Sequence, residues 1–262
     1  MKKIFTVFMV VALTVGFSAT VTADAKGDDI ATKYFARVKA ADTASNAVMT
    51  LIDKSGNKKV RELDMSTKDS PAGMFSFVNF TKPADVAGTK FLTTPLKDGG
   101  TEQRLYLPAL KKTRKIASSD KSGEFVNSDL YYYDMEDRKF ADSTYSFLAE
   151  GETLTDKAFA GLKFYKIEVV AKADNAPYSK SIFWIGMDDM QAYKIEAYDK
   201  SGGALLKTFL FVKFDDQKGV KTPVQTMVTN HKKGTRTLLQ LNNLKVNSAL
   251  KDEVFSIKNL EQ

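Results

Sequence analysis

The C-terminal part of this chain constrains its fold most strongly. Six runs of strand length, 162–172, 179–187, 192–199, 205–214, 222–230 and 235–244, follow one another almost without interruption. Turn-forming residues fill the gaps: Asp174-Asn175-Ala176-Pro177, Asp188-Asp189, Lys200-Ser201-Gly202-Gly203, residues 215–219, and Lys232-Lys233-Gly234. Parallel strands need a crossover of about a dozen residues or more, and none of these gaps is that long. Connections this short make sequential strands antiparallel neighbours. The segment therefore reads as a six-stranded meander.

The preceding residues continue the pattern. Runs 46–53 and 60–66 flank Lys54-Ser55-Gly56-Asn57-Lys58 as a hairpin. Runs 74–80, 91–95, 104–108 and 113–117 are expected strands bounded by Gly or Pro, with another at 144–151. Lys82-Pro83 ends the strand from Met74, because proline has no N–H for the ladder, and Gly88 permits a tight bend. Helical spacing is confined to 28–41, where Ile30, Ala31, Tyr34, Phe35 and Val38 make one apolar face behind Asp28 and Asp29. Residues 129–137 read as a short helix or ordered loop whose three tyrosines cannot all face one way, and 248–255 as a last helical turn. The tetrapeptide Asp-Lys-Ser-Gly recurs at 53–56, 120–123 and 199–202. A calcium loop needs further oxygen ligands and a bidentate Glu, which do not follow, so a turn with Gly in the left-handed conformation is expected.

The strands do not alternate cleanly between apolar and polar residues. In 205–214, Leu206, Leu210, Val212 and Phe214 share one face, and Phe209 and Phe211 lie opposite with Lys207 and Lys213. In 179–187, Phe183, Ile185 and Met187 oppose Ile182 and Trp184; in 74–80, Met74, Val78 and Phe80 oppose Phe75 and Phe77. A sheet with one wet face alternates cleanly. Two explanations remain open from the residues alone. Helices or a second copy cover the extra apolar face, or a curved sheet encloses an apolar hollow. Such a hollow would take acyl chains, since each buried CH₂ contributes about 0.8 kcal/mol.

The N-terminus follows the plan of a secretory signal peptide: basic Lys2-Lys3, an apolar run from Ile4 to Val15, then small residues through Val21-Thr22-Ala23-Asp24-Ala25. The run is shorter than the roughly 20 residues of a spanning helix. Cleavage after Ala23 or after Ala25 fits, leaving 239 or 237 residues, the size of one all-β domain. No cysteine is present, so neither disulfides nor lipid attachment at a Cys is expected. The net charge of +7 becomes +6 when Lys2, Lys3 and Asp24 are removed. An exported chain meets little nucleic acid. The charge therefore reads as solubility, with anionic membrane surface as a partner.

Residues for catalysis are sparse. The single histidine, His231, sits at an expected turn, where a solvated role is commoner than membership of a Ser–His–Asp triad. Zinc would need more His or Cys ligands. Asp188-Asp189 and Asp215-Asp216 fall in turns, and Asp98-Gly99-Gly100 is a lone turn rather than a phosphate loop. The expectation is a non-enzyme with no cofactor and no metal.

Three blocks in the middle of the chain are distinctive: Lys82-Pro83-Ala84-Asp85-Val86-Ala87-Gly88-Thr89-Lys90-Phe91-Leu92, the stretch from Arg104-Leu105-Tyr106-Leu107-Pro108 through Lys111-Lys112-Thr113-Arg114-Lys115-Ile116, and Ser128-Asp129-Leu130-Tyr131-Tyr132-Tyr133-Asp134-Met135. With the ending Asp252-Glu253-Val254-Phe255-Ser256-Ile257 they resemble the outer-membrane lipoprotein-sorting protein family, a LolA-like group, over nearly the whole mature chain. The resemblance implies a mainly β (α+β) fold: a strongly curved antiparallel sheet forming an unclosed β-barrel with covering helices. It implies one domain at 26–262 and a periplasmic carrier for lipid-modified protein or other lipidic cargo. An inner-membrane exporter of the resistance–nodulation–division (RND) type is the implied partner. Cavity candidates are Phe75, Phe77, Phe91, Leu105, Leu107, Trp184, Phe209 and Phe211. Lys111, Lys112, Arg114 and Lys115, read as a hairpin tip, are candidates for contact with acidic headgroups or an acidic partner. The alternative is an envelope sensor of the same fold whose hollow is filled by its own side chains and which binds a protein.

Overall fold

Turn chemistry and strand alternation produce a single antiparallel ladder. The computed structural model describes residues 24–262, so the expected signal peptide lies almost entirely outside the described residues. Helix α1 (Ala25–Ala36) opens it. A first meander follows: β1 (Asp42–Ile52), β2 (Lys58–Lys68), β3 (Phe75–Lys82), β4 (Lys90–Pro95), β5 (Thr101–Leu107) and β6 (Lys112–Ile116). After an irregular segment at 117–142 comes a second: β7 (Ser143–Glu152), β8 (Phe164–Ala171), β9 (Tyr178–Gly186), β10 (Ala192–Asp199), β11 (Leu205–Gln217), β12 (Val220–Asn230) and β13 (Thr235–Val246). Helix α2 (Ile257–Glu261) ends the chain.

Pairing of β1 with β13 joins the two meanders into one sheet of thirteen strands, in the order β6-β5-β4-β3-β2-β1-β13-β12-β11-β10-β9-β8-β7. β6 and β7 are its free edges, so the barrel is not closed. The expected fold class is the one observed. Among the described residues no helix is long and apolar enough to cross a membrane.

The turns follow from their side chains. Asp53 accepts the amides of Ser55 at 2.8 Å and Asn57 at 2.9 Å, and Gly56 takes φ +87°. The other two Asp-Lys-Ser-Gly copies differ from expectation. At the third, the left-handed residue is Gly203 rather than Gly202. The second lies in the 117–142 segment, not in a hairpin, and Gly123 N–H donates to the Asp120 carbonyl. Helix α1 starts and stops earlier than 28–41, because Asp24 caps it and Arg37 returns to extended backbone.

Strand alternation sorts the apolar side chains onto two faces. On the inner face, Met49, Leu63, Val78, Phe80, Phe91 and Leu105 pack with Phe125 and Leu130 from the 117–142 segment. Further along that face α1 rests Ile30 and Ala31 on Tyr145, Ile167 and Ile185. On the outer face, Phe77 and Leu92 lie under Phe255 and Leu260 of the C-terminal tail. A second outer cluster gathers Phe159, Phe164, Trp184 and Tyr193. The missing alternation thus has two sources: covering segments outside, and a partly filled interior.

Candidate functional site

Between α1 and the 117–142 segment the inner face is left open. A cavity of about 620 Å³ lies there, within the roughly 300–1,000 Å³ span of sites that take small molecules. Its apolar wall is a row running across three strands. Phe183 of β9 faces Ile195 of β10, and Ile195 faces Phe209 of β11. Phe211, two residues on, continues the wall. Tyr34 and Phe35 of α1 form the opposite side, with Tyr34 edge-on to Phe183 at 5.9 Å between ring centroids.

Charged groups from the 117–142 segment floor the cavity. The Asp134 carboxylate accepts the Tyr178 hydroxyl at 2.8 Å and the Lys207 ammonium at 3.2 Å. Lys207 is fully buried and lies 2.9 Å from the centroid of the Tyr131 ring. Burial pushes its pKa below the ordinary lysine value, and Asp134 pulls the other way. Burial also drives the Tyr178 hydroxyl well above its usual value, with Asp134 adding to it. Next along, Glu136 is held by Lys121 at 2.5 Å, by Arg138 at 3.0 Å and by the Thr101 hydroxyl. Burial raises the Glu136 pKa, but these donors outweigh it and hold the carboxyl below its ordinary value. Asp129 fixes the segment from beneath, accepting hydroxyls of Thr237 at 2.7 Å and of Thr235. The segment is therefore a plug pinned over the inner face of the first meander.

The three adjacent tyrosines diverge as expected. Tyr131 stacks on Tyr178, Tyr132 packs on Phe91 and Phe125, and Tyr133 lies under Arg138.

Of the eight aromatic and leucine cavity candidates, Phe209 and Phe211 line the cavity. Phe91, Leu105 and Leu107 share the inner face but are packed against the plug, Phe91 lying 5.1 Å from Phe125 between centroids. Phe75, Phe77 and Trp184 are on the outer face, Phe75 against Phe255 and Trp184 donating its indole N–H to Glu196 at 3.2 Å. The structure thus does not bring the eight together. Parity within each strand gave the correct partitions, Phe183 opposite Trp184 and Phe209 opposite Leu210. What it could not give was which side faces inward.

The basic cluster is also rearranged. Only Lys111 occupies the β5–β6 turn, at φ +47°; Lys112, Arg114 and Lys115 belong to edge strand β6. Arg114 pairs with Asp120 at 2.6 Å and Lys115 with Glu102 at 2.5 Å. Leu110, beside them, is 62% exposed. His231 lies in a turn with its Nε2 2.8 Å from the Thr208 hydroxyl. Asp189 and Asp216 cap turns through the amides of Gln191 and Gly219. Among the described residues no group of His, Asp and Glu is gathered to hold a metal ion.

An unclosed thirteen-stranded antiparallel sheet with a lined interior is a LolA-like fold. The family model that matches, over residues 74–262, carries the description "Uncharacterized protein"; it is the DUF1329 family, and the chain belongs to it. Among solved structures, a domain from Vibrio parahaemolyticus assigned to outer membrane lipoprotein sorting is 28% identical, with TM-score 0.83, covering 90% of this chain and 99% of that one. A DUF1329 family protein from Desulfovibrio piger is 27% identical, with TM-score 0.83, covering 91% and 100%. A LolA superfamily protein from Nitrosomonas europaea shares the fold at 20% identity, with TM-score 0.69, covering 89% and 98%. No curated protein matches the chain.

Proposed function

We propose that this protein is a non-catalytic periplasmic carrier that holds lipid-modified protein or another lipidic cargo in the inner cavity. In this reading an export signal at the N-terminus is removed, and the mature chain acts as one lipid-binding domain. The cargo travels between envelope membranes, with an RND-type exporter at the inner membrane as donor or acceptor. The observation that carries the proposal is the row Phe183–Ile195–Phe209, continued by Phe211, which presents apolar surface to an unfilled cavity. Covering such surface with an acyl chain gains about 25 cal/mol per Å² removed from water. Lys111 and Lys112, beside Leu110, are the proposed contact with acidic headgroups, each basic residue near such a surface contributing about 1 kcal/mol.

Organic extraction of the protein purified from the periplasm, followed by mass spectrometry, should release a stoichiometric lipid. An environment-sensitive fluorescent fatty acid should bind and be displaced by that lipid. If nothing is extracted and neither acyl probes nor lipopeptides bind, the carrier proposal is lost.

A further inference from the structure

Helix α1 begins where the sequence leaves two cleavage points open, after Ala23 and after Ala25. Asp24 lies between them and is the N-cap of the helix. Its carboxylate accepts the amides of Lys26 at 3.2 Å and Gly27 at 3.1 Å, and its carbonyl accepts the Asp28 amide at 2.9 Å. The same carboxylate crosses to edge strand β7 and accepts the Phe147 amide at 2.5 Å. One side chain therefore satisfies donors of both the helix and the sheet edge that the helix covers. The amides of Gly27 and Phe147 hold the Asp24 carboxyl below the ordinary range. Gly27 sits so close to β7 that a Cβ on it would lie 2.8 Å from the Phe147 nitrogen, and Lys26 pairs with Glu150 at 3.0 Å. Residues 24–27 thus make the polar and close backbone part of the contact between α1 and β7, beside the apolar part made by Ile30 and Ala31 on Tyr145.

We infer that processing on export cuts the bond between Ala23 and Asp24, so that the mature protein begins at Asp24. Water adds across that peptide bond: its hydroxyl goes to the Ala23 carbonyl carbon, its hydrogen to the Asp24 nitrogen. The peptidase is one that reads the small side chains ending in Val21-Thr22-Ala23. A cut after Ala25 would discard the cap and unpair Phe147 N–H. Either cut leaves a new ammonium near the positive end of the helix dipole, but only the cut before Asp24 keeps the carboxylate cap beside it. After a cut at Ala25, Tyr34 and Phe35, which wall the cavity, would ride on a helix with a frayed first turn. The inference rests on the export reading above and is independent of what the cargo is.

Full-length precursor expressed in a Gram-negative host, recovered from the periplasmic fraction and examined by intact mass and N-terminal sequencing, should begin at Asp24. A chain beginning at Lys26 overturns the cut site and leaves export standing. An uncleaved chain retained in the cytoplasm overturns both. In parallel, chains beginning at Asp24, at Asp24 with Asp24→Ala, and at Lys26 are melted. The second and third should melt roughly 2–4 °C below the first. Coincident melting of all three removes the physical ground for the assignment.

Discussion

Lys207 and Asp134 form an ion pair at 3.2 Å beneath the cavity, with the lysine side chain fully buried and the aspartate nearly so. Their residues belong to β11 and to the plug, so the pair ties a strand of the second meander to the segment packed on the inner face of the first. A buried pair is weak ground for net stability, but removing one partner leaves a charge without compensation. Asp134→Ala should therefore destabilise the protein by about 3–5 kcal/mol in guanidinium unfolding. The joint change Lys207→Met with Asp134→Ala should cost less than Asp134→Ala alone. A joint cost equal to or larger than the single one would show that the pair is not what holds the plug.

Phe77 and Phe211 separate core from cavity. Phe77 is buried under the C-terminal tail on the outer face, so Phe77→Ala should cost about 3–5 kcal/mol of stability and leave affinity for an acyl probe within twofold. Phe211 lines the cavity, so Phe211→Glu should lower probe affinity at least tenfold while the unfolding midpoint moves little. Fluorescence titration and denaturant curves on the two variants provide the comparison.

Glu136 predicts a pH dependence. Its folded pKa lies below the ordinary value of 4.5, because Lys121, Thr101 and Arg138 outweigh the effect of burial. As pH falls, the unfolded chain takes up this proton first. The stabilisation is then fully present above about pH 4.5 and is lost as pH drops through the lower folded value. Glu136→Gln should be less stable than the parent at pH 7, and the gap should narrow in melts taken from pH 5 down to pH 3.

Gly27 sets helix propensity against packing. Alanine is favoured over glycine inside a helix by about 1 kcal/mol, yet a Cβ here meets backbone atoms of Ser146 and Phe147 at 2.8–3.0 Å. Gly27→Ala should lose, because the sheet edge cannot retreat as a flexible side chain would. Hydrogen exchange should show faster amide exchange through α1 and at Phe147, with the remainder of the sheet unchanged.

Particular residues show how far the sequence could be read. The strand expected at 192–199 is β10 residue for residue, and that expected at 222–230 falls within β12, because each is bracketed by turn residues that act over three or four positions. The sequence places the start of α1 at Asp28 and Asp29, whereas the helix begins at Ala25. The true cap, Asp24, lay within the expected signal peptide or at its boundary, and its second partner, Phe147, is 123 positions away. Helix α2 lies just beyond the helical turn that the sequence predicts at 248–255. Five residues carry little periodic signal, and α2 forms where Leu260 is buried beside Phe77 and Leu92.

The alternation of side chains along each strand, the shortness of the turns and the absence of cysteine were enough to establish an antiparallel, disulfide-free sheet and to say which residues share a side. They act through backbone sterics within a few positions. The inward side, the residues left uncovered and the place of the hollow depended on which distant segment came to lie on each face: the plug over Phe91, the C-terminal tail over Phe77, and neither over Phe211. That choice is made by packing between parts of the chain far apart in sequence, 34 positions for Phe125 on Phe91 and 178 for Phe255 on Phe77, and no local pattern encodes it.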